Sequence, residues 1–356
     1  MKIKILFLTF FLILKIEINA QIGGSSIYQF LNLTTSPRIA ALGGEQIAIF
    51  DNDLNVAFHN PAMLNAEHHN WFNFNYLKYF ADISVKNISF AQNFGKIGNI
   101  AFALHSVDYG TFTRTDEFGN IFGTFTCSDQ SFNAIYSYQK DSIFSFGATL
   151  KYIRSNYENF SSQGIATDIS AAYVSSDKLF SISLIFKNIG TTLTSYYENA
   201  SNDLPFEIEM GLTKKLTHAP FRLCLTLRNL QKWNLTYENQ NQAVKTNIFG
   251  ETEPQKSKLE EEFDNTMRHV ILGVEFLPLK SFSINIGYNH QRRKDLSVQD
   301  LRILTLGYSL GFNLKLTNWQ FSYAYSNFHA AGGSHYFAAA VNLSNIFSKI
   351  RNKFTN

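Results

Sequence analysis

An alternation of period two, returning from Trp71 almost to the end of the chain, is the feature that most constrains its fold. In WFNFNYLKYF, residues 71–80, Phe72, Phe74 and Tyr76 take every second place, with Asn73 and Asn75 between them. Two is the strand period, because successive side chains of a strand point to opposite faces. Fourteen such runs fit, at about 71–80, 84–94, 98–108, 128–139, 143–155, 163–175, 179–188, 204–216, 220–230, 267–277, 281–290, 302–313, 318–327 and 335–343. Phe282, Ile284, Ile286 and Tyr288 alternate with Ser283, Asn285, Gly287 and Asn289, and Leu304, Leu306, Tyr308, Leu310 and Phe312 continue the series. A soluble sheet buries such a face against a second layer, and little apolar sequence remains here to supply one.

The connections sort by parity. Tight turns follow the even-numbered strands, at Gly95 to Ile97, Lys140 to Ser142, Ser175 to Asp177, Thr217 to Pro220, Pro278 to Lys280 and Leu314 to Thr317. Longer links follow most odd-numbered strands, near 109–127, 156–162, 189–203, 231–266, 291–301 and 328–334; the first, near 81–83, is short. A sandwich has no reason to sort its loops this way, and no blade-length repeat supports a propeller. A transmembrane barrel has such a reason, with short periplasmic turns and longer outer loops. Closure also satisfies backbone groups that hydrocarbon would leave unpaired. The expectation is therefore an all-β protein, a 14-stranded antiparallel transmembrane β-barrel. Its apolar face meets lipid, with Trp71, Tyr79, Tyr288, Trp319 and Tyr325 in the interfacial girdles. Leu184→Arg on that face should cost about 2–4 kcal/mol, and the same change at Ser183 much less.

Composition agrees. Aromatics reach 15%, charged residues only 17%, and a net charge of +3 is too small to imply nucleic acid. The mean hydropathy of −0.12 fits a barrel whose two faces cancel. Cys127 and Cys224 are too few for a disulfide scaffold. Residues 1–20, with Lys2, Lys4, an apolar stretch from Ile5 to Ile16 and Ala20 before Gln21, read as a signal peptide. Residues 21–70 alternate weakly and are rich in Gly, Asn and small residues, which suits a compact but irregular N-terminal segment; residues 71–343 make the barrel and 344–356 a C-terminal tail.

Chemistry is sparse. The nine histidines are scattered, with none in metal-ligand spacing. Asp51, Asp53 and Asn55 open like a calcium loop, but Val56 and Ala62 stand where it needs Gly and Glu. No nucleophile elbow or phosphate loop is present, so the reading is non-enzymatic, without cofactor or metal. The longest link contains ETEPQKSKLEEEFD at 251–264. Such a charged segment cannot bury apolar surface alone, so it is either a solvated loop or a docking surface that orders on binding, with Glu251, Glu253, Glu260, Glu261, Glu262 and Asp264 as the candidate contacts.

AALGGEQIAIFDNDLNVAFHNPAML, residues 40–64, resembles the plug region of the FadL superfamily, through Gly43, Gly44, Asn60, Pro61 and Ala62. GGSSIYQFLNLTTSPRIAALGG at 23–44, YFADI at 79–83, LPFEIEMGLTKKLTHAPFR at 204–222 and LQKWNLTY at 230–237 are similar to the PorV/PorQ family of the Bacteroidetes type IX secretion system. The likeness spans nearly all of the chain after residue 20. It implies a FadL-like barrel in the cell outer membrane with its N-terminal segment in the lumen. It also implies a place in a surface attachment complex, tethering PorZ beside the PorU sortase and the PorV shuttle barrel. The alternative that the same fold carries is a transporter of hydrophobic small molecules. The chain departs from the family in running past Leu343 through SNIFSKIRNKFTN.

Overall fold

A computed structural model describes residues 26–197, 203–236, 257–296, 306–329 and 332–344. The expected signal peptide and all but Ser344 of the expected tail lie outside the described residues. Fourteen strands close on themselves in sequence order: β1 (Trp71–Lys78), β2 (Ser84–Asn93), β3 (Asn99–Thr115), β4 (Ile121–Lys140), β5 (Phe144–Tyr157), β6 (Phe160–Val174), β7 (Phe180–Thr194), β8 (Glu207–Lys215), β9 (Phe221–Leu227), β10 (Val270–Leu279), β11 (Phe282–Asn289), β12 (Tyr308–Lys315), β13 (Trp319–His329) and β14 (Gly332–Asn342). Every neighbour is antiparallel, and β1 meets β14 from Trp71 opposite Asn342 to Lys78 opposite His335, so no sheet edge is left open.

The period of two sorts the faces. On β5, Leu150 is 56% exposed and Thr149 only 2%. Phe102, Phe146, Ile286, Leu310 and Phe337 share the outward band, which has to face hydrocarbon because no second layer covers it. The inward positions are Asn, Ser and Thr with a few charges, and almost all are buried because a folded segment fills the lumen.

Several boundaries differ from the sequence reading. The link at 109–127 is mostly strand: β3 and β4 run on as a ribbon past the rim and turn at 116–120, where Asp116 accepts from the amides of Phe118 and Asn120. Strands β3 to β7 are thus taller than β8 to β12, and the barrel has a raised wall on one side. β8 starts after Pro205, which has no donor for a ladder. β9 stops short of Asn229, whose φ of 55° leaves the strand region. β12 begins at Tyr308, after Gly307 turns the chain at φ 81°; Leu306 is buried ahead of the strand, and 301–305 lie outside the described residues. Trp71 is not a girdle residue. It is 6% exposed and packs inside against Leu54, Leu64 and Ala91, whereas Trp319 keeps 48% exposure on the outer face.

The plug carries two short helices, α1 (Pro37–Ala41) and α2 (Leu54–His59), joined by extended and 3-10 segments. Tyr28 and Phe30 pack with Leu77, Val85, Val107 and Ile153 towards the end of the barrel that bears the long links. Leu54, Ala57 and Leu64 pack with Ala91, Ala101 and Ile135 towards the short-turn end. The lumen is therefore the hydrophobic core of the molecule as well as its polar interior.

Candidate functional site

The plug motif read from the sequence has a physical basis at each residue. Gly43 and Gly44 terminate α1: the Gly44 amide donates to Ile39 O at 3.0 Å and the Gly43 amide to Ala40 O at 3.2 Å, with Gly43 at φ 102°. That is a Schellman cap, whose turning residue favours glycine. Asn60 caps the 3-10 turn Pro61–Met63 by accepting from the Ala62 amide at 3.0 Å, and its amide group donates to Ile47 O. Pro61 occupies the first helical position, where a missing donor costs nothing. Ala62 lies directly against the wall: a Cβ on Gly147 would stand 2.2 Å from its amide nitrogen. A Cβ on Gly287 would stand 2.1 Å from the Gly43 nitrogen. The wall glycines thus let two backbones meet.

Charge fixes the plug more firmly. Arg38, 3% exposed, makes five hydrogen bonds to carboxylates: Nε and Nη2 to Glu275 at 2.6 and 3.0 Å, Nη1 and Nη2 to Asp51 at 3.1 and 2.7 Å, and Nη1 to Asp53 at 3.1 Å. This uses every N–H the guanidinium has. Arg222 on β9 joins them through Nη1, 2.5 Å from Glu275 and 3.1 Å from Asp51. Further up the lumen Lys187 on β7 pairs with Glu45 of the plug and with Glu209 on β8, the latter at 3.0 Å. Buried ions are tolerable only when paired and hydrogen-bonded. Arg38–Glu275, Arg222–Asp51 and Lys187–Glu45 join plug to wall, while the remaining pairs brace the plug internally or link neighbouring wall strands. Small wall residues complete the contact: Ser181 and Ser183 donate to Ala48 O and Ile47 O, and Ser170 accepts from the Ala62 amide. Ser183 is therefore not the tolerant luminal position that alternation alone suggests.

At the long-link end, the charged segment expected to be a solvated loop, or a docking surface that orders on binding, folds in part. Helix α3 (Lys258–Arg268) starts at a capping box, in which Ser257 accepts from the Glu260 amide and Glu260 accepts from the Ser257 amide. Glu260, Glu261, Glu262 and Asp264 lie on it; Glu251 and Glu253 lie outside the described residues. The first three are exposed, as are Leu259 (79%) and Phe263 (67%). Asp264 instead turns inward to helix α4 (His290–Asp295), taking His290 Nε2 at 2.9 Å and Lys294 Nζ at 3.1 Å, with Arg268 of its own helix at 3.1 Å. Burial would raise this carboxyl, but the bonds from His290, Lys294 and Arg268 outweigh it and hold Asp264 well below the usual aspartate range. From α4, Arg292 reaches down over the plug, so that a Cβ on Gly44 would stand 2.7 Å from its guanidinium. The two helices form a shelf opposite the raised wall, tied downward to the plug.

Sequence reasoning singled out the plug motif and the acidic segment. It missed Arg38, Glu275, Lys187, Glu45 and Glu209. Their signal was present: Glu275 stands between Val274 and Phe276, and Lys187 follows Phe186, each a charge at an inward place in an apolar alternation.

No protein-family model matches the chain, and no curated protein matches it in sequence. Among solved structures, the Pseudomonas putida toluene transporter TodX superposes with a TM-score of 0.50 at 10% identity, covering 87% of this chain and 97% of that one. The Ralstonia pickettii toluene transporter TbuX (TM-score 0.48, 12% identity, 87% and 98% covered) and a Pseudomonas aeruginosa FadL homologue (0.47, 11%, 87% and 98%) are similar at a lower level. At these identities the likeness is one of fold: a closed fourteen-stranded antiparallel barrel, here with its N-terminal segment in the lumen.

Proposed function

We propose that the protein is a non-enzymatic surface anchor in the outer membrane of a Bacteroidetes-like cell. In this reading it is a PorQ-type barrel of the type IX secretion system that holds PorZ beside PorU and PorV-like proteins. The observation that carries the reading is the division of labour between the plug and the long-link end of the barrel. The plug is locked to the wall by Arg38, Glu45 and their partners, while the long-link end of the barrel builds a raised wall and a helical shelf with exposed Leu259, Phe263 and three glutamates. A folded, charged and partly apolar platform on a sealed barrel suits a docking surface. The likeness of the residue stretches quoted above is what supports the particular family. Short turns lie in the periplasm in this orientation, and α3 faces outward.

A second reading, a channel for hydrophobic small molecules, is favoured by the fold shared with TodX, a toluene transporter. The two separate by one experiment. Glu260→Lys/Glu261→Lys/Glu262→Lys should release PorZ from cells while the barrel stays folded, and vesicles containing the wild-type protein should not accelerate toluene uptake. PorZ retained at wild-type levels together with accelerated uptake would establish the channel instead.

A further inference from the structure

The short-turn end of the barrel holds a cavity of about 350 Å³ that neither reading uses. It lies where the turns after β8, β10 and β12 come together beneath the plug, lined by Lys215, Lys280, Lys315, Arg38, Arg222 and Asp51 among others. Arg38 and Arg222 are neutralised by Glu275 and Asp51, and Lys315 Nζ donates to Asn52 at 2.8 Å and stands 4.0 Å from Asp51. Lys215 and Lys280 are exposed and make no ion pair among the described residues. The mouth is therefore cationic.

Two further features narrow the ligand. Asn313, 4% exposed, lines the same cavity; its amide group donates to Ser283 Oγ at 2.9 Å, and its Oδ1 has no partner among the described residues. A buried acceptor of that kind is costly unless a donor reaches it. On the other side the lining passes into apolar groups. Leu279 is 63% exposed at the β10–β11 turn, and Phe282 sits opposite Leu314 on the outward face, continuous with the lipid-facing band. A ligand that fits this boundary has an anion for the lysines, a hydroxyl or ammonium donor for Asn313, and hydrocarbon for Leu279 and Phe282.

We infer that the cavity binds the phosphodiester headgroup of a glycerophospholipid from the membrane leaflet at the short-turn end. The phosphate lies between Lys215, Lys280 and Lys315, and the acyl chains leave over Leu279 and Phe282. The volume takes a headgroup and no folded segment. Anchor and channel alike would keep the site, so its failure leaves the functional reading untouched.

The test uses full-length protein purified from outer membranes in mild detergent, wild type against Lys215→Gln/Lys280→Gln, two exposed lysines that hold no plug contact. Heat-modifiable mobility on gels checks that both barrels fold. Native mass spectrometry then follows binding of phosphatidylglycerol, phosphatidylethanolamine and inorganic phosphate. The expected result is a phospholipid adduct on the wild type and at least tenfold weaker lipid binding by the variant, with inorganic phosphate far weaker than either lipid. In a second variant, Asn313→Leu, lipid binding should fall while phosphate binding is unchanged. Equal lipid binding by wild type and double variant would overturn the proposal. Inorganic phosphate binding as tightly as lipid would overturn the lipid assignment in favour of a free-anion site.

Discussion

Two segments outside the barrel wall carry dense charge, the luminal plug and the shelf helix α3, and they use it in opposite ways. In the plug, Arg38 is 3% exposed and every one of its donors is taken by a carboxylate. On α3, Glu261 and Glu262 stand in solvent, as does Glu260 while it closes the capping box, and Asp264 and Arg268 hold the helix to α4. The first arrangement is a fixed closure, because breaking any pair strands a buried charge. The second leaves charge available to steer a partner, an effect that falls with salt. The lesson is that burial, and not the number of charges, separates a structural ion from one left in solvent.

The contrast can be broken most forcefully at the wall glycines. Gly287→Leu puts a side chain where the Gly43 backbone lies, so the plug cannot seat. We expect loss of the heat-modifiable folded form, with Gly147→Leu behaving alike. A folded barrel with normal urea stability in either variant would show that the plug is not part of the core.

Next in size is Arg38→Met, which leaves Glu275, Asp51 and Asp53 without their main cation. Urea unfolding in detergent should show a loss of about 3–5 kcal/mol. The outer face supplies the control. Leu184→Arg should cost about 2–4 kcal/mol near the membrane midplane. Ser183→Arg, read from alternation alone as mild, should cost at least as much, because Ser183 is buried and donates to Ile47 O at 2.8 Å. A silent Ser183→Arg would mean that the plug leaves the lumen freely.

The smallest effect belongs to the shelf. Asp264→Asn should leave global unfolding unchanged while raising hydrogen exchange across 258–268 in excess of the intrinsic rate change. The pH dependence has a definite sign. The Asp264 carboxyl is held below its ordinary value, so its contribution is complete above about pH 4 and is lost as pH falls through the depressed folded value. Exchange in the helix should therefore rise on acidification below about pH 4 in the wild type and not in the variant. Equal protection of wild type and variant at neutral pH would remove Asp264 from its role in holding the helix.

Much of this was legible in the sequence because the strand period is local. Phe144, Phe146, Ala148, Leu150 and Tyr152 declare a face without reference to any other strand, and the parity of the turns then declares closure. The Gly43-Gly44 and Asn60-Pro61 pairs were equally readable, since caps and turns are set by the residues within them. What was hidden is what depends on distance along the chain. Arg38 meets Glu275 across 237 positions, and nothing near either residue announces the other. Ser183 reads as solvent-facing until the plug occupies the space it faces. The charged run at 251–264 was read as a solvated loop or a docking surface that orders on binding, for want of apolar residues, yet Ser257 and Glu260 form a capping box, and Asp264 and Arg268 tie the resulting α3 to α4.

The central claim, a sealed barrel that anchors a surface protein through its shelf, is tested most directly by affinity isolation of the tagged full-length protein from native outer membranes. The wild type should bring PorZ with it at low salt. Glu260→Lys/Glu261→Lys/Glu262→Lys should come out as an intact, heat-modifiable barrel with PorZ lost. Recovery of PorZ at wild-type levels with the triple variant, or of a wild-type barrel with no surface protein attached, would contradict the account.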